Sequence, residues 1–518
     1  MNNKRLTVVV LILVIQFILL DTSLLAPAAA TVANATDKTT ITNSTLTPIK
    51  HLVVIFQENV AFDHYFGTYP KVGNPSGRNF SSSPNTPSIN NLTTDLLTNN
   101  TNSANPFLLN RSQAVTVASC DPSHAYTALQ KSFDGGLMDK FVQNSGLKKN
   151  CDPKLVMGYF DGNTVTALWN YAQHYAMSDN FYSTNIAPSL PGHLNLVSGQ
   201  THGATPTDIR GMVANGTVIG DINSTYDDCS VPTAQNKTIS MEGKNIGDLM
   251  NEKDISWGWF QGGFKPSSFI ANKPICRTTH MNNFTGKNVP DYVVHHEPFQ
   301  YYQSTANRHH LPPGSVAMIG KTDRANHQYD LSDFWAAAQA NNLPAVSYLK
   351  APHYQDGHPG VSDPIDEQHF LVNTINRLQQ LPEWNSTAII IAYDDSGGWY
   401  DHVMPPIISQ SDDPKYDRLI GNAGLCGHAP TGAYQDRCGY GARLPMLILS
   451  PYAKVNYVDH SLTDQSSILR FIGDNWGLGR IGNQSFDVKA GSIMNMFDFT
   501  TSHPAKKLFL NPLTGLEK

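Results

Sequence analysis

The chain has 518 residues, of which 40% are hydrophobic, so it can bury a large core, and its length allows one or more domains. Its formal net charge is −6, its pI is near 6.3, and its Lys and Arg residues are scattered along the sequence. This distribution excludes the basic surface that nucleic-acid-binding domains require, and no nucleic-acid partner is expected.

The N-terminus has the features of a signal peptide. Two basic residues precede the apolar run Leu6–Leu20, and the small residues at 26–30 offer a cleavage site. An uncleaved anchor is the alternative, but this run is shorter than the ~20 residues that a membrane span needs. We therefore expect a signal peptide at 1–30 and a Thr/Asn-rich linker at 31–49. The mature protein is expected to be secreted or held at the cell surface, without a membrane span.

Export makes the six cysteines candidates for disulfides, because thiols outside the cytoplasm are usually oxidised. The absence of Cys-x-x-Cys spacing argues against a thiolate metal site. Sequential pairing, one of many possible connectivities, joins Cys120 to Cys151, Cys229 to Cys276 and Cys426 to Cys438. Export also makes the Asn-x-Ser/Thr motifs candidate glycan acceptors, among them Asn91, Asn215, Asn283 and Asn385.

From about residue 50 onward, the hydrophobic pattern predicts alternating strands and helices. Continuous apolar runs predict strands at His51–Phe56, Ala388–Tyr393 and Pro445–Pro451, and a further strand is expected around Asp179–Ser183, after a helix. Apolar spacings of three and four predict helices at Thr166–Tyr175, Phe370–Leu381 and Asp464–Ile472. This alternation is typical of an α/β layer fold with a largely parallel sheet. We expect one domain over 50–518, with the polar stretch 74–112 as a surface insertion.

The segment 388–406 is the most informative part of the sequence. An apolar run ends in Asp394-Asp395, and a glycine pair and Asp401-His402 follow. Ligands of α/β sheets gather beyond the carboxyl ends of the strands, so these acids are placed to serve a site. The alternative is a turn in which one of the acids caps the next element and the glycines supply positive φ. The segment by itself does not decide between them.

Other polar residues follow predicted strands in the same way. Glu58 and Asn59 follow the first strand, and Ser189 lies between Pro188 and Pro191 after another. Carboxylate, amide and hydroxyl oxygens suit a divalent cation, which would lower the pKa of the serine hydroxyl and suit phosphoryl transfer. The structural alternatives are a helix cap at 58–59 and a plain turn at 189. A Gly-x-Ser-x-Gly motif is absent. These residues indicate an exported α/β enzyme with metal-assisted chemistry.

The run Gln57-Glu-Asn-Val-Ala-Phe-Asp-His-Tyr-Phe-Gly67 resembles the Gln-Glu-Asn-Arg-Ser-Phe-Asp-His-Tyr-Phe-Gly signature of the microbial phosphoesterase family. This family includes bacterial phosphocholine-cleaving phospholipases C and secreted acid phosphatases. Further blocks resemble the family in the same order: Ser123-His124, Gly135–Val142, Ala187–Pro191, His295–Phe299, His358-Pro359, Tyr393–Val403 and Gly441–Pro451. The resemblance covers most of residues 50–475 and implies a three-layer, alkaline-phosphatase-like α/β sandwich.

The resemblance also implies roles for individual residues. By position, one divalent metal ion would be bound by Glu58, Asn59, Ser189, Asp394 and Asp395, with Ser189 also acting as the nucleophile. The active-site histidines of the family fall on His124, His295, His296 and His358. Oxygen-rich ligands fit Ca, Mg or Mn, and the nearby histidines leave Zn or Fe open.

Three departures from the family pattern bear on the substrate. Val60-Ala61 replaces the usual Arg-Ser, Gly192-His193 replaces the usual Asn, and Asp395 stands where phospholipases commonly have Glu. The last departure, and an end soon after residue 500 without C-terminal β-domains, favour the acid phosphatase branch. We therefore expect an exported, metal-dependent phosphoesterase that acts through a phosphoserine intermediate. The alternatives are a phospholipase C acting on phospholipid head groups and an inactive surface binding protein, which the retained acids and serine disfavour.

Overall fold

The computed structural model describes residues 45–73, 80–231, 234–411, 426, 431–434, 438–500 and 506–518. The predicted signal peptide and most of the predicted linker lie outside these residues. The end of the linker already contacts the fold, because Thr47 donates from its backbone N and its Oγ1 to Asn475 Oδ1 at 3.0 and 2.7 Å. Within the described ranges, no helix is long and apolar enough to cross a membrane.

In the part of the chain that the structure describes, a nine-stranded sheet forms the centre of the fold. Its strands in chain order are β1 His51–Gln57, β2 Ala176–Tyr182, β3 Trp257–Gln261, β4 Gln328–Asp330, β5 Val346–Lys350, β6 Thr387–Tyr393, β7 Arg443–Leu449, β8 Tyr457–Asp459 and β9 Thr463–Asp464. In space the order is β4-β3-β5-β1-β6-β7-β2-β8, and β9 also pairs with β2. All pairs are parallel except those of β7, which is antiparallel to β6 and β2. The predicted largely parallel sheet is confirmed.

The two central strands explain why their sequences lack polar alternation. β1 and β6 pair in register from His51 with Thr387 to Gln57 with Tyr393. Every residue of β6 is buried, and so is every residue of β1 after His51. Strands covered on both faces need apolar side chains at successive positions, which accounts for the continuous run Ile389–Ile391.

Helices cover both faces of the sheet and produce the predicted three-layer α/β sandwich. The α-helices are α1 Phe62–Phe66, α2 Thr94–Thr98, α3 Ala114–Val117, α4 Tyr126–Phe133, α5 Phe141–Asn144, α6 Thr166–His174, α7 Ser189–Ser198, α8 Ile246–Glu252, α9 Leu331–Gln339, α10 Pro364–Leu378 and α11 Gln465–Asn475. One group packs α7 against α8 and α11, and another packs α6 against α10. α10 begins earlier than predicted because the Asp363 side chain accepts from the N–H groups of Ile365 and Asp366.

Strand direction determines which residues meet at the edge of the sheet. β1, β2, β5 and β6 are mutually parallel and end at the same edge, so the segments that follow them lie together. β7 is antiparallel and begins at this edge with Arg443. Glu58 and Asn59, the start of α7, Lys350, and Asp394 with Asp395 all come from these strand ends.

The region predicted as a surface insertion is mainly exposed or half-buried from residue 80 to 112, while residues 74–79 lie outside the described ranges. A few side chains attach it to the core: Phe80, Leu92, Asn102 and Leu109 are buried. Phe80 packs edge-to-face on Trp169 of α6, with ring centroids 5.1 Å apart.

All six cysteines lie within the described residues, and none is free. The structure joins them in sequential order, as Cys120–Cys151, Cys229–Cys276 and Cys426–Cys438. Each bridge closes a local loop, with sequence separations of 31, 47 and 12. Such loops limit the conformations of the unfolded chain and so stabilise the fold.

Candidate active site

Ser189 is the first residue of α7, which places its hydroxyl at the positive end of a helix dipole. Pro188 precedes the helix in an extended conformation, and Pro191 occupies the first turn, where no backbone N–H is required. The N–H of Leu190 donates to Asp221 Oδ1 at 2.8 Å. Gly192 lets α7 lie directly on the end of β6, since a Cβ there would come within 2.4 Å of the Asp394 carbonyl oxygen.

The five residues predicted as metal ligands meet at one point. Ser189 Oγ lies 3.2 Å from Glu58 Oε2, 3.4 Å from Asn59 Oδ1 and 3.3 Å from Asp395 Oδ2. Asp394 completes the cluster, because its Oδ1 accepts from the backbone N–H of Asn59 at 2.8 Å. All five residues are at most 1% exposed. We call these five residues the acid cluster.

Two backbone features shape the acid cluster. Asn59 has φ of 56°, a left-handed conformation that asparagine tolerates better than most residues. Gly397, also with positive φ, packs against it, and a Cβ at this position would lie 2.5 Å from the Asn59 carbonyl oxygen. The glycine pair after Asp394-Asp395 therefore allows two loops to approach closely.

The charges of the acid cluster are not balanced by the protein. Burial raises the pKa of Glu58 well above its usual range, and the charge of Asp394 raises it further. Burial and Asp394 likewise raise the pKa of Asp395. Burial opposes ionisation of Asp394, but His193 and Lys350 hold its pKa below the usual range. Without a cation, the cluster therefore tends to retain protons.

The donor set fits a divalent cation. Within the described residues, Asp394 Oδ2 is buried without a hydrogen-bond partner, although His193 Nδ1 lies 3.9 Å away. The Asn59 amide can face Asp395 in two ways. With its nitrogen toward Asp395 it donates to both carboxylate oxygens at 2.8 and 2.9 Å; with its oxygen there it joins an all-oxygen group that a cation would stabilise. Carboxylate, amide and hydroxyl oxygens are ligands that hard divalent cations prefer.

The four histidines predicted for the site surround the acid cluster. His296 Nδ1 lies 3.3 Å from Glu58 Oε1, and the ring of His295 lies edge-on to His296 with centroids 4.6 Å apart. His358 Nε2 is 2.8 Å from the Asn59 amide oxygen when the amide nitrogen faces Asp395. The rings of His124 and His358 are 5.7 Å apart.

These histidines differ in charge. Burial lowers the pKa of His124, but Asp395, Asp121 and Asp221 outweigh burial and raise it to about 9. Burial lowers the pKa of His295 and that of His296, and burial with His353 lowers the pKa of His358 to about 4. Of the four, His124 is the one suited to donate a proton at neutral pH.

The sequence prediction missed several residues of the site, of which Lys350 is the most important. Lys350 is the last residue of β5, is fully buried, and donates from Nζ to Glu58 Oε1. His193 also faces this oxygen, with Nε2 at 3.5 Å. Asp356 lies 3.8 Å from His296 Nδ1 and 2.7 Å from His353 Nδ1. A polar residue at the end of a strand was the available signal for Lys350, but Ser347 and Tyr348 interrupt the apolar run that would have revealed β5.

The Asp401-His402 dipeptide belongs to a separate cluster. His402 Nδ1 lies 2.6 Å from Asp63 Oδ2, and Arg443 contacts Asp63 at 3.0 Å and Asp401 at 3.1 Å. Arg443 is fully buried and also donates to the backbone carbonyls of Asn90 and Asp179. We call Asp63, Asp401, His402 and Arg443 the arginine cluster. Its contacts hold loops together beside the candidate site.

A mostly parallel α/β sandwich, with a buried serine among acids at its strand ends, has the architecture of a hydrolytic enzyme. A model of the Phosphoesterase family matches residues 49–479, so the chain belongs to the phosphoesterase family. The predicted membership is confirmed, and with it the enzyme class, a hydrolase of phosphoric esters.

Relatives of known name are distant. Phospholipase C A of Mycobacterium tuberculosis is 23% identical over 91% of this chain and 81% of its own length. Non-hemolytic phospholipase C of Pseudomonas aeruginosa is 22% identical, over 84% of this chain and 54% of its own length. Non-specific phospholipase C3 of Arabidopsis thaliana is 23% identical, over 80% of this chain and 66% of its own length.

Similar solved structures are more distant still. Murine ectonucleotide pyrophosphatase/phosphodiesterase 5 is 10% identical, with a TM-score of 0.33 over 64% of this chain and 95% of that one. A protein in the alkaline phosphatase superfamily from Vibrio parahaemolyticus is 10% identical, with a TM-score of 0.31 over 85% of this chain and 71% of that one.

Proposed function

We propose that this phosphoesterase is metal-dependent and that Ser189 is its nucleophile. The observation that supports this is the position of Ser189 Oγ within 3.4 Å of oxygen atoms of Glu58, Asn59 and Asp395 at the N-terminus of a helix. Glu58, Asn59, Ser189, Asp394 and Asp395 would hold one divalent ion. When bound, such an ion supplies Lewis-acid chemistry, lowering the pKa of the serine hydroxyl and neutralising phosphoryl charge.

The side chains around Ser189 have complementary roles in the proposed reaction. Ser189 reacts as its alkoxide, having lost its hydroxyl proton to solvent before the attack. Its Oγ attacks phosphorus and forms a phosphoserine, the phosphorus–oxygen bond to the leaving group breaks, and His124 protonates the departing alkoxide. In the second half, water attacks the phosphoserine, His124 accepts a proton from it, and the bond between phosphorus and Ser189 Oγ breaks. This regenerates the Ser189 alkoxide and releases inorganic phosphate (or a phosphomonoester, when the substrate is a diester). We assign His295, His296 and His358, whose pKa values burial lowers, to the surroundings of the phosphoryl group.

Lys350 has a positioning role in this arrangement. Its contact with Glu58 Oε1 leaves Glu58 Oε2 directed at Ser189. Both carboxylate oxygens are thus used, one by a fixed cation of the protein and one by the reacting centre. This contact orients Glu58 without occupying the position that faces the substrate.

Two substrate classes follow from different observations. Asp395, in place of the Glu of phospholipase members, favours phosphomonoesters and the acid phosphatase branch. The names of the relatives, phospholipases C from bacteria and a plant, favour phospholipid head-group diesters. Turnover of a small aryl phosphate and of dispersed phosphatidylcholine, measured side by side on the purified chain, distinguishes them.

Export belongs to the proposal as well. The three disulfides suit an oxidising compartment, and the sequence of residues 1–30 has the pattern of a signal peptide. N-terminal sequencing of the protein recovered outside the producing cells is expected to begin near residue 31. Recovery only from the cytoplasm, with residue 1 retained, would contradict export.

The nucleophile is tested with Ser189→Ala. The variant is expected to lose at least about 10³-fold in turnover, because no other hydroxyl replaces the nucleophile. Elemental analysis should find most of the metal still bound, since one oxygen of five ligands is removed. Phosphate incorporation into acid-quenched parent protein, and its absence in the variant, identifies the intermediate. Full activity of Ser189→Ala would refute the covalent mechanism.

A further inference from the structure

The segment 262–290, which precedes the site histidines His295 and His296, forms two short antiparallel hairpins. The first pairs Ser268–Ile270 with Lys273–Ile275, and the second pairs Thr279–Met281 with Asn288–Pro290. We call them the hairpin pair. Large apolar side chains on it are exposed to unusual degrees: Phe269 48%, Ile270 66%, Met281 56% and Phe284 37%. Single exposed apolar residues are normal, but a concentration of them on one small structure marks an interaction surface.

The charge of this segment is opposite to that of the whole chain. It contains the exposed cations Lys265, Lys273, Arg277 and Lys287 and no Asp or Glu, whereas the chain has a formal charge of −6. The nearest following acid, Asp291, is buried and contacts His280 Nδ1 at 2.6 Å. Exposed apolar side chains interspersed with cations match the chemistry of a lipid surface that carries negative charge.

The hairpin pair is fastened beside the candidate site. The His280 ring stacks on Tyr354 at 5.1 Å, and the backbone N–H of His353 donates to the Asp291 carbonyl at 3.0 Å. Asn282 Nδ2 donates to Asp363 and Asp366 at 3.1 and 3.2 Å. The loop that receives these contacts carries His353, Asp356 and His358 of the site. A surface that touches the hairpin pair is therefore brought close to the acid cluster.

The tip of the first hairpin presents its apolar residues outward. Ala271 and Asn272 both have positive φ, of 48° and 63°, which is the conformation of a tight two-residue hairpin turn. Phe269 and Ile270 precede this turn, and Lys273 follows it. The Cys229–Cys276 bridge ties the base of the hairpin to another loop. This geometry holds two adjacent apolar side chains and a cation at one exposed end.

We infer that the hairpin pair docks onto a bilayer surface containing anionic lipid. Phe269 and Ile270 enter the interfacial region, and Lys265, Lys273, Arg277 and Lys287 contact lipid phosphates. Docking itself requires no catalysis. Its consequence, that membrane phospholipids reach Ser189 as substrates, rests on the proposed function.

Docking is tested by flotation of the full chain with vesicles of phosphatidylcholine alone and of phosphatidylcholine with phosphatidylglycerol in a two-to-one ratio. Ser189→Ala serves as the background, so that lipid is not consumed. Binding is expected mainly to the anionic vesicles and should weaken as salt is raised. Adding Phe269→Ser and Ile270→Ser is expected to weaken it at least about tenfold. The matched control adds Val488→Ser and Leu513→Ser, two side chains each 62% exposed elsewhere, and should bind as the background does.

Separate arms keep the two proposals distinct. Aryl phosphate turnover of the chain with native Ser189 should be unchanged by the Phe269 and Ile270 substitutions, and absence of turnover in the parent would contradict the proposed function alone. Docking would be overturned by lack of vesicle binding, or by equal binding with and without Phe269 and Ile270. It would also be overturned if light scattering showed that these two residues instead mediate self-association of the chain.

Glycosylation offers an independent check. Asn283 begins an Asn-Phe-Thr motif on the hairpin pair, and its Nδ2 donates to Asp366 Oδ1 at 2.6 Å. A membrane-facing surface is expected to carry no glycan there. Mass spectrometry of the exported protein that found a glycan on Asn283 would contradict docking.

Discussion

The acid cluster and the arginine cluster lie at the same edge of the sheet, but their charges are balanced differently. In the arginine cluster, Arg443 contacts both Asp63 and Asp401, and His402 adds a second partner for Asp63. In the acid cluster, three acids (Glu58, Asp394 and Asp395) have Lys350 and His124 as cationic neighbours, and burial lowers the pKa of the nearby His296. Residues of the protein balance the negative charge of the arginine cluster, but they do not balance that of the acid cluster.

This difference separates a structural cluster from a candidate binding site. A buried carboxylate is tolerated when charged and hydrogen-bonding partners surround it. The arginine cluster meets this condition with its own residues. The acid cluster meets it only with protons on some of its carboxylates or with an added cation. The same sequence block, Tyr393–Val403, contributes acids to both clusters, so the neighbours rather than the motif separate their roles.

The largest expected effect removes an acid from each cluster. Asp394→Ala should lose metal and lower turnover at least about 10³-fold, because the other ligands cannot replace a carboxylate. Asp401→Ala should leave the metal content of the folded protein unchanged and lower its stability instead. Elemental analysis and phosphoester turnover are measured on both. Undiminished metal in Asp394→Ala would remove the distinction between the clusters.

Arg443→Met tests the structural cluster directly. The substitution leaves Asp63 and Asp401 buried without their cation, and we expect a loss of ~3–5 kcal/mol in the free energy of unfolding. The control is Arg470→Met, because the Arg470 side chain is 35% exposed and its pair with Asp474 should contribute less than ~1 kcal/mol. Urea unfolding of both variants measures the difference. Equal stabilities would show that Arg443 is not required to balance these acids.

Lys350→Met tests the lysine that contacts Glu58 of the acid cluster. Turnover should fall roughly 10–100-fold because Glu58 loses the contact that orients it. Metal stoichiometry should remain that of the parent, since the five ligands are retained. The exposed Lys253→Met is the control and should behave as the parent. Parental turnover in Lys350→Met would contradict the positioning role.

The smallest effect concerns pH and a residue next to the arginine cluster. Burial lowers the pKa of His64 to about 3 from its ordinary 6.5, although its Nδ1 contacts the Gly158 carbonyl at 2.7 Å. The unfolded chain therefore binds a proton more readily than the folded one below pH 6.5, and stability is lost as pH falls toward 3. At pH 5 this difference in pKa lowers the free energy of unfolding by about 2 kcal/mol relative to neutral pH.

The His64 effect is measured by urea unfolding of the parent and His64→Gln at pH 7 and pH 5. The parent should lose more stability between these values than the variant does, by about 2 kcal/mol. Parallel losses in the two proteins would show that His64 is not held neutral in the folded state.

Most of the sheet centre was predictable from the sequence because its strands are buried on both faces. The apolar runs of β1, β6 and β7 identify them without a partner, and the helical spacing of α6, α10 and α11 is equally clear. Strands β3, β4 and β5 were missed. They are short, and tryptophan, serine, tyrosine and a terminal lysine break the apolar pattern. Their burial depends on neighbours that only the folded sheet supplies.

The candidate site also has a part that was predictable from the sequence and a part that was not. The sequence by itself determined the residues of the acid cluster, because acids, an amide and a serine follow apolar runs and the long motifs resemble one family. Only the tertiary structure decided their surroundings. Lys350 reaches Glu58 because β5 pairs with β1, and Arg443 reaches Asp63 because β7 runs antiparallel. Strand order and direction depend on long-range packing. Local sequence therefore does not determine which buried carboxylate lies next to a Lys or Arg side chain.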